Sequence, residues 1–356
     1  MQYRTLGRTG WRVSEIGYGM WGMAGWTGSD DEESQGSLDR AVALGCNFFD
    51  TAWAYVEGRS EQLLGELLKR HPGKRLYTAT KIPPKNRKWP ARPEYRLSDV
   101  FPADYIREYT EISLRNLGTS SVDLQQFHVW DDSWATDEAW QRAVASLKED
   151  GLVNAIGISV NRWQPTNVLK TLATDLIDSV QVVYNVFDQA PEDELFVECR
   201  RRNIAVIARV PFDEGSLTGT LTPDTTWPDG DFRNIYFQPD HLKKALERVE
   251  KLRPLLDRVE LRERRERSHA NGAGPGAPAS ERVGESEGRS PSAKMTMPEL
   301  ALRHILQHPA ISTVIPGMRK LRHVEQNLAA SDGHPLPAQL MDELRRHRWD
   351  RWIDIP

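Results

Sequence analysis

A parallel α/β chain with eight strands is the fold class this sequence predicts, and three observations carry it. Short apolar or β-branched runs recur eight times along the 356 residues. Stretches with helical spacing of apolar residues separate most of these runs. The repeat breaks once, between Ser268 and Lys294, where Ala, Gly, Ser, Pro and Glu dominate and no Phe, Trp or Tyr occurs.

Taken in order, residues 3–6 and 11–13, joined through Arg8-Thr9-Gly10, read as a small N-terminal β-hairpin. The eight strand-like runs follow at 13–17, 47–51, 76–80, 122–128, 153–159, 180–183, 204–208 and 311–315. Leu38, Ala41, Val42 and Leu44 recur at helical spacing, as do Leu63, Leu64, Leu67 and Leu68. Further helical stretches lie at 106–117, 140–147, 168–172 and 195–197. Ser60 to Gln62 and Thr136-Asp137-Glu138 read as helix starts, and Gly45, Gly118 and Gly151 as helix ends. Strands alternating with helices give a parallel sheet buried on both faces. Eight repeats match the strand number of a closed (β/α)8 TIM barrel, with an open doubly wound sheet as the alternative. Arg262 to Arg267 alternate charges with little to bury, and Val283 is the only larger apolar residue in the stretch that follows. About 264–293 is therefore expected to be a disordered insertion before the eighth strand, interrupting one barrel domain that spans 1–356.

Composition narrows the function. Lys and Arg number 47 against 51 Asp and Glu, a near-balance that argues against a nucleic-acid-coating surface. No apolar run approaches the roughly 20 residues of a membrane span. The first seven residues lack a basic start with an apolar core, so a cytoplasmic location is expected. Cys46 and Cys199 cannot make a disulfide framework or a Cys-rich metal site. The His residues show no His-Glu-x-x-His spacing, and no metal is expected.

In a parallel barrel, chemistry gathers where strands end. The second strand ends in Asp50, followed by Thr51-Ala52-Trp53-Ala54-Tyr55. Lys81, His128, Ser159 and Gln181 end later strands, and the eighth leads into Pro316-Gly317-Met318-Arg319-Lys320. A tyrosine with its ordinary pKa of about 10 is a weak acid at neutral pH. A lysine ammonium beside it favours the phenolate, and a carboxylate holds that lysine charged and in place. Such a Tyr can protonate a carbonyl oxygen while hydride reaches the carbon, and can take the proton back in reverse.

These residues and their flanks resemble the aldo-keto reductase family, in the branch that joins bacterial members and potassium-channel β subunits. Tyr3-Arg4-Thr5-Leu6-Gly7-Arg8-Thr9-Gly10, Val13-Ser14 and Gly17-Tyr18-Gly19 are similar to that family's opening. Asn47-Phe48-Phe49-Asp50-Thr51-Ala52 with Tyr55, Gly58 and Ser60-Glu61 resembles its central signature, and Gly157-Ile158-Ser159 and Ile315-Pro316-Gly317-Met318-Arg319 continue the match. The resemblance implies a (β/α)8 barrel that reduces aldehydes or ketones with NADPH, reversibly, through Asp50, Tyr55, Lys81 and His128. It places Ser159, Asn161 and Gln181 on the nicotinamide amide, Pro211, Gly215, Ser216 and Leu217 along the pyrophosphate, and Gly317, Arg319, Lys320, His323, Gln326 and Asn327 around the adenosine end. Arg319 suits the 2′-phosphate of NADP, since guanidinium is a planar bidentate donor.

One position departs from the family. Arg209 stands where an aromatic residue commonly stacks on the nicotinamide; a guanidinium can also stack, and it adds positive charge beside the ring. Gly17-Tyr18-Gly19-Met20-Trp21-Gly22 also fits G-x-G-x-x-G, but the loop 24–30 follows where a dinucleotide fold needs a helix. In the barrel reading these glycines end strand one beneath the cofactor and Trp21 reaches the site. Trp21, Trp53, Trp89 and Trp130 fall near strand ends and are expected to wall an apolar substrate pocket. Basic residues between 85 and 96 leave an anionic or polyhydroxylated substrate as an option. The expected partner is a small carbonyl compound, with no nucleic acid or membrane, and the sequence is silent on oligomeric state. The alternative within the same fold is a nucleotide-sensing regulatory subunit with slow turnover or none.

Overall fold

A computed structural model describes residues 1–25, 28–271 and 295–351, without the side chains of 257–271. Two strands, β1 (Tyr3–Thr5) and β2 (Arg12–Ser14), pair antiparallel as the expected hairpin. Eight more strands form one parallel sheet in sequential order: β3 (Tyr18–Gly19), β4 (Phe48–Asp50), β5 (Tyr77–Ile82), β6 (Val122–Phe127), β7 (Val153–Ser159), β8 (Ser179–Val183), β9 (Ala205–Arg209) and β10 (Ile311–Val314). Parallel bridges Ile16 to Val314 and Gly19 to Gly317 join the first of these to the last. The sheet therefore closes, and the open doubly wound alternative falls.

The seam explains the glycine motif. Gly17 N–H donates to the Val314 carbonyl at 2.8 Å and Gly19 N–H to the Pro316 carbonyl at 3.0 Å. A Cβ on Gly19 would stand 2.6 Å from the Ile315 carbonyl oxygen, and one on Gly17 would stand 3.0 Å from that of Phe48. These glycines let strands approach rather than cradle phosphate. One expectation shifts here. Residues 13–17 were read as the first barrel strand, but Val13 and Ser14 belong to the hairpin, and the barrel strand is the short Tyr18–Gly19.

Period two sets which side chains see the barrel interior. Phe48, Tyr77, Ala79, Leu124, Ala155, Ala205 and Ile207 pack together inside, and Leu6 and Val13 of the hairpin segment join the same cluster. Each large apolar side chain buried there is worth roughly 1.5–3 kcal/mol. Residues of the opposite parity, such as Phe49, Ile156, Ile158, Val180, Val182 and Val206, pack outward with Leu38, Leu63, Leu64 and Leu67 of the covering helices. Those two helices are Asp31–Ala43 and Arg59–Arg70, and Ala103–Leu117, Glu138–Glu149, Leu195–Arg202, Met297–Gln307 and Leu321–Ala329 continue the ring. The backbone of Pro239–Asn271 is a helix that enters the first residues of the expected insertion; residues 272–293 of that insertion lie outside the described residues.

Candidate active site

Counting on by two from the interior cluster gives the next layer toward the strand ends. Asp50 follows Phe48, Lys81 follows Ala79, Gln126 and His128 follow Leu124, Gly157 and Ser159 follow Ala155, and Arg209 follows Ile207. The parity that makes a dry core below makes a polar floor above. Gly157 is part of this design, since a Cβ there would stand 2.4 Å from the Ser179 hydroxyl and 3.0 Å from Gln126 Cγ.

Lys81 and Asp50 are both buried, and Lys81 Nζ donates to Asp50 Oδ1 at 2.6 Å. The same ammonium donates to the Thr51 carbonyl at 2.7 Å and to Tyr55 Oη at 3.4 Å. Asp50 Oδ2 accepts from Gln181 Nε2 at 2.7 Å and from Gln126 Nε2 at 3.1 Å. The acid is thus held by donors from β5, β6 and β8, which fixes the lysine it carries.

Tyr55 comes from the loop after β4. That loop turns tightly through Val56, Glu57 and Gly58, all at positive φ, the first being a β-branched residue in a region such residues rarely occupy. Gly58 N–H closes the turn on the Trp53 carbonyl at 2.7 Å, and the Thr51 hydroxyl donates to Ser60 Oγ at 2.7 Å. The strain is held by these bonds and aims the phenol inward. Tyr55 meets His128 edge-on at 5.8 Å between ring centroids, and Trp89 meets His128 edge-on at 5.8 Å.

Electrostatics assign the protonation states. Burial works against the Lys81 ammonium, but Asp50 and Tyr55 outweigh it and hold its pKa above the ordinary lysine value. Burial pushes the Tyr55 phenol up; Lys81 pulls it down, Asp50 adds to the rise, and the net is a raised pKa. Lysine was expected to lower that pKa outright. The difference is desolvation of the phenolate, which is larger than the attraction. Burial, then Lys81 and Arg209, press His128 well below its ordinary value, so its imidazole is neutral. Its Nδ1 is buried with no hydrogen-bond partner among the described residues. The resting site is a phenol backed by an ammonium beside a neutral imidazole, an arrangement able to give one proton to an oxyanion and to stabilise the phenolate left behind.

The other expected residues divide. Ser159 is buried at the end of β7 on the inward side. Gln181 spends its amide N–H on Asp50, and Asn161 donates its own to the Ala91 carbonyl at 3.0 Å and Gln164 Oε1 at 2.9 Å. Both are expected on the nicotinamide amide; their amide nitrogens brace the protein through these bonds, and their side-chain oxygens are the groups that could meet a carboxamide. Pro211 and Gly215 lie on the turn after β9, where Val210, Asp213, Glu214 and Gly215 take positive φ. Ser216 Oγ donates to Asp213 Oδ2 at 2.7 Å, while the Leu217 side chain is buried in a core with Val186 and Phe187. Arg319 Nη1 donates to the Gly22 carbonyl at 3.3 Å, tying the loops after β10 and β3. His323, Gln326 and Asn327 lie on the helix Leu321–Ala329, with Gln326 exposed and Asn327 buried.

Among the tryptophans, Trp21 and Trp89 are each 38% exposed, and Trp53 is half-buried against Tyr109 with the Arg87 guanidinium over it. Trp130 is a correction. It is wholly buried among Phe127, Trp134 and Trp140, with its indole N–H on Thr171 Oγ1 at 2.8 Å, and it walls no pocket. Nearness to a strand end suggests a rim residue; the indole packs instead against Trp134 and Trp140.

Sequence reasoning missed Gln126 as a ligand of Asp50, although its parity with His128, two residues on, was legible. It also missed a buried network in which Arg351 pairs with Asp188 at 2.9 Å and with Asp213, and Arg162 pairs with Glu214. These carboxylates and cations come from loops after β7, β8 and β9 and from the far C-terminal segment, and no local spacing links them.

Against this geometry the comparisons with known proteins agree. The model of the aldo/keto reductase family matches residues 15–348, and the chain belongs to that family. It is 26% identical over 336 residues to the NADH-specific methylglyoxal reductase of Escherichia coli K12, covering 91% of this chain and 92% of that protein. Aldo-keto reductase YhdN of Bacillus subtilis is 30% identical over 260 residues, covering 71% of this chain and 75% of the relative. Among solved structures, the glycerol dehydrogenase AKR11B4 of Gluconobacter oxydans superposes with a TM-score of 0.72 at 23% identity, covering 99% of this chain and 98% of that one. The protein is an oxidoreductase of a family that works with nicotinamide cofactors.

Proposed function

We propose that the protein reduces a small aldehyde or ketone to the alcohol, reversibly, with NADPH as the hydride source. The observation that carries the reading is the Lys81 ammonium shared between Asp50 Oδ1 at 2.6 Å and Tyr55 Oη at 3.4 Å. The carbonyl oxygen sits against Tyr55 Oη and His128, with Trp21, Trp53 and Trp89 at the rim. Tyr55 gives its proton to that oxygen as negative charge develops, and the Lys81 ammonium stabilises the phenolate that results. Asp50, fixed by Gln126 and Gln181, keeps Lys81 charged and in place. Neutral His128 orients the carbonyl and does not itself bring a charge. The dinucleotide, when bound, supplies the hydride.

The residues present fit such a cofactor. Arg162 Nη1 and Arg209 Nε are buried donors with no acceptor among the described residues, and Arg319 stands on the loop after β10, so the rim offers cations to a polyanion. Ser159 and the turn from 210 to 217 border the same rim. Arg319 supports the choice of NADPH over NADH through the 2′-phosphate. The NADH specificity of the E. coli relative belongs to that protein.

The test is turnover of NADPH, followed by loss of its absorbance, with aldehydes, 2-oxoaldehydes, ketones and sugar phosphates, and with Tyr55→Phe as control. Turnover that vanishes in the variant supports the reading. Tight dinucleotide binding with negligible turnover on every compound and in both directions would replace it with nucleotide sensing. Arg319→Ala weakening NADPH far more than NADH supports the cofactor choice; equal loss for both overturns it.

A further inference from the structure

Resting on the reading above, we infer that the loop after β5 selects an anionic carbonyl substrate: Lys85, Arg87 and Lys88 stand beside Trp89 as cations with no carboxylate of their own, placed to take a phosphate or carboxylate carried on a short chain from the reacting carbon.

The sequence makes this loop one-signed. Lys85, Arg87, Lys88 and Arg92 fall within eight residues, and Glu94 is the first acid after Lys81. Farther on, Asp99 pairs with Arg96 at 3.7 Å. Among the described residues none of the first four cations is in an ion pair, and all four are exposed.

The fold brings that charge to the reacting centre. Trp89, the residue after Lys88, meets His128 edge-on at 5.8 Å. The Ala91 carbonyl accepts from Asn161 Nδ2 at 3.0 Å, just past β7. The loop therefore crosses the ends of β5, β6 and β7. On its outer side Lys85 N–H donates to the Val100 carbonyl at 2.9 Å, and the Trp134 indole N–H to the Tyr95 carbonyl at 2.9 Å.

Aromatic rings hold the cations in place. The Arg87 guanidinium lies 4.6 Å from the Trp53 ring, Lys85 Nζ 5.8 Å from that of Tyr105, and Lys88 Nζ 5.2 Å from that of Tyr95. A ring at such a distance attracts a cation without neutralising it. Arg87 Nη2 also donates to Tyr109 Oη at 3.2 Å, and its backbone takes a φ of 56°, a region that costs a non-glycine residue. Solvation of a charged surface asks for neither a strained backbone nor a ring under each charge. Side chains already held lose little further freedom when an anion arrives.

The carbonyl oxygen lies against Tyr55 and His128, so an anion a few bonds away meets the loop that carries Trp89. A neutral aldehyde leaves these cations unused. Each exposed contact is worth about two- to fivefold in affinity, and three converging on one anion about tenfold or more. Salt weakens such contacts, since the screening length falls from about 10 Å at 0.1 M to about 3 Å at 1 M.

The experiment compares carbonyl compounds that differ in the anion alone: glyceraldehyde 3-phosphate against glyceraldehyde, and 4-oxobutanoate against butanal. Steady-state kinetics with saturating reduced dinucleotide give the ratio of kcat/KM within each pair, for the full-length wild type and for Arg87→Gln combined with Lys88→Gln. The wild type is expected to favour the charged member of at least one pair by about tenfold or more, mainly through KM, and to lose most of that preference in about 0.5 M salt. A preference confined to the phosphate pair names a phosphorylated substrate, and one confined to the other pair an oxo acid. The double variant is expected to lower the ratio by about tenfold. A wild-type ratio near one, or a preference that salt leaves intact, overturns the inference without any variant, which covers a variant that fails to fold. An unchanged ratio in the variant overturns it in favour of a cation elsewhere in the mouth. A wild type that reduces only compounds outside these pairs overturns it too. Each of those results leaves the proposed reduction standing; a wild type that turns over no carbonyl compound and no alcohol sinks the proposed function with it.

Discussion

Asp50→Asn tests the site at its most constrained point. The carboxylate has one oxygen on Lys81 Nζ at 2.6 Å and the other under two glutamine N–H groups at 2.7 and 3.1 Å, so every contact it makes is with a donor. An asparagine offers one acceptor and one donor. Whichever way its amide turns, an N–H faces another donor, and the Lys81 ammonium is left buried without a counter-charge. Both side chains of the pair are at most 3% exposed, so solvent screening gives little relief. Breaking such a pair from one side costs about 3–5 kcal/mol. Urea unfolding near neutral pH is expected to show that loss at unchanged m-value. Asp50→Asn with Lys81→Met removes both charges, and the pair is expected to couple by at least about 2 kcal/mol, so the double variant is much less damaged than the sum of the singles. The pH dependence has a definite sign. Lys81 has a raised folded value, so its stabilising share is complete below the unfolded lysine value of about 10.4 and is lost as pH rises through the folded value. In Asp50→Asn that loss moves toward neutrality, because the main raising influence is gone. A destabilisation under about 1 kcal/mol, or strict additivity of the two changes, refutes the buried-pair account.

Further outcomes follow from the same geometry. Tyr55→Phe is expected to lower kcat by about a hundredfold or more while dinucleotide affinity stays within a few-fold, measured by steady-state kinetics and calorimetry. His128, depressed by burial and two cations, takes up a proton more readily unfolded than folded; stability therefore falls as pH drops below about 6.5, and His128→Asn lessens that fall in urea titrations. Trp130→Ala is expected to cost about 3–5 kcal/mol and leave kcat/KM nearly unchanged; a specific rise in KM would return Trp130 to the pocket. Arg351→Met strands the buried carboxylates of Asp188 and Asp213, costing about 3–5 kcal/mol and weakening dinucleotide binding through the turn that Asp213 holds. Unaltered binding in a folded variant detaches that network from the cofactor.

The barrel was legible because its period is imposed by physics at every turn of the chain. The run 204–208 is apolar on both faces, since one face meets the barrel interior and the other the helices. The first strand was misplaced because Val13 and Ser14 have strand character yet pair backward with Arg4 and Tyr3. The true strand carries Tyr18-Gly19, whose glycine is there for closure against Ile315, and strand propensity cannot see a seam with residues some three hundred positions away.

The site divides along the same line between local and long-range information. Asp50 and Lys81 are each the next inward residue after a core position and His128 is the next but one, so strand parity delivers them to one floor. Tyr55 lies beyond any strand, and its aim depends on three successive positive-φ residues that only the folded turn displays. Parity also delivered Arg209, but its charge has meaning only once the partners of every neighbour are known. Glu214 goes to Arg162 and Asp50 to Lys81, and both pairings span segments that the sequence does not connect. Among the described residues, Arg209 bonds the Val160 carbonyl and no carboxylate.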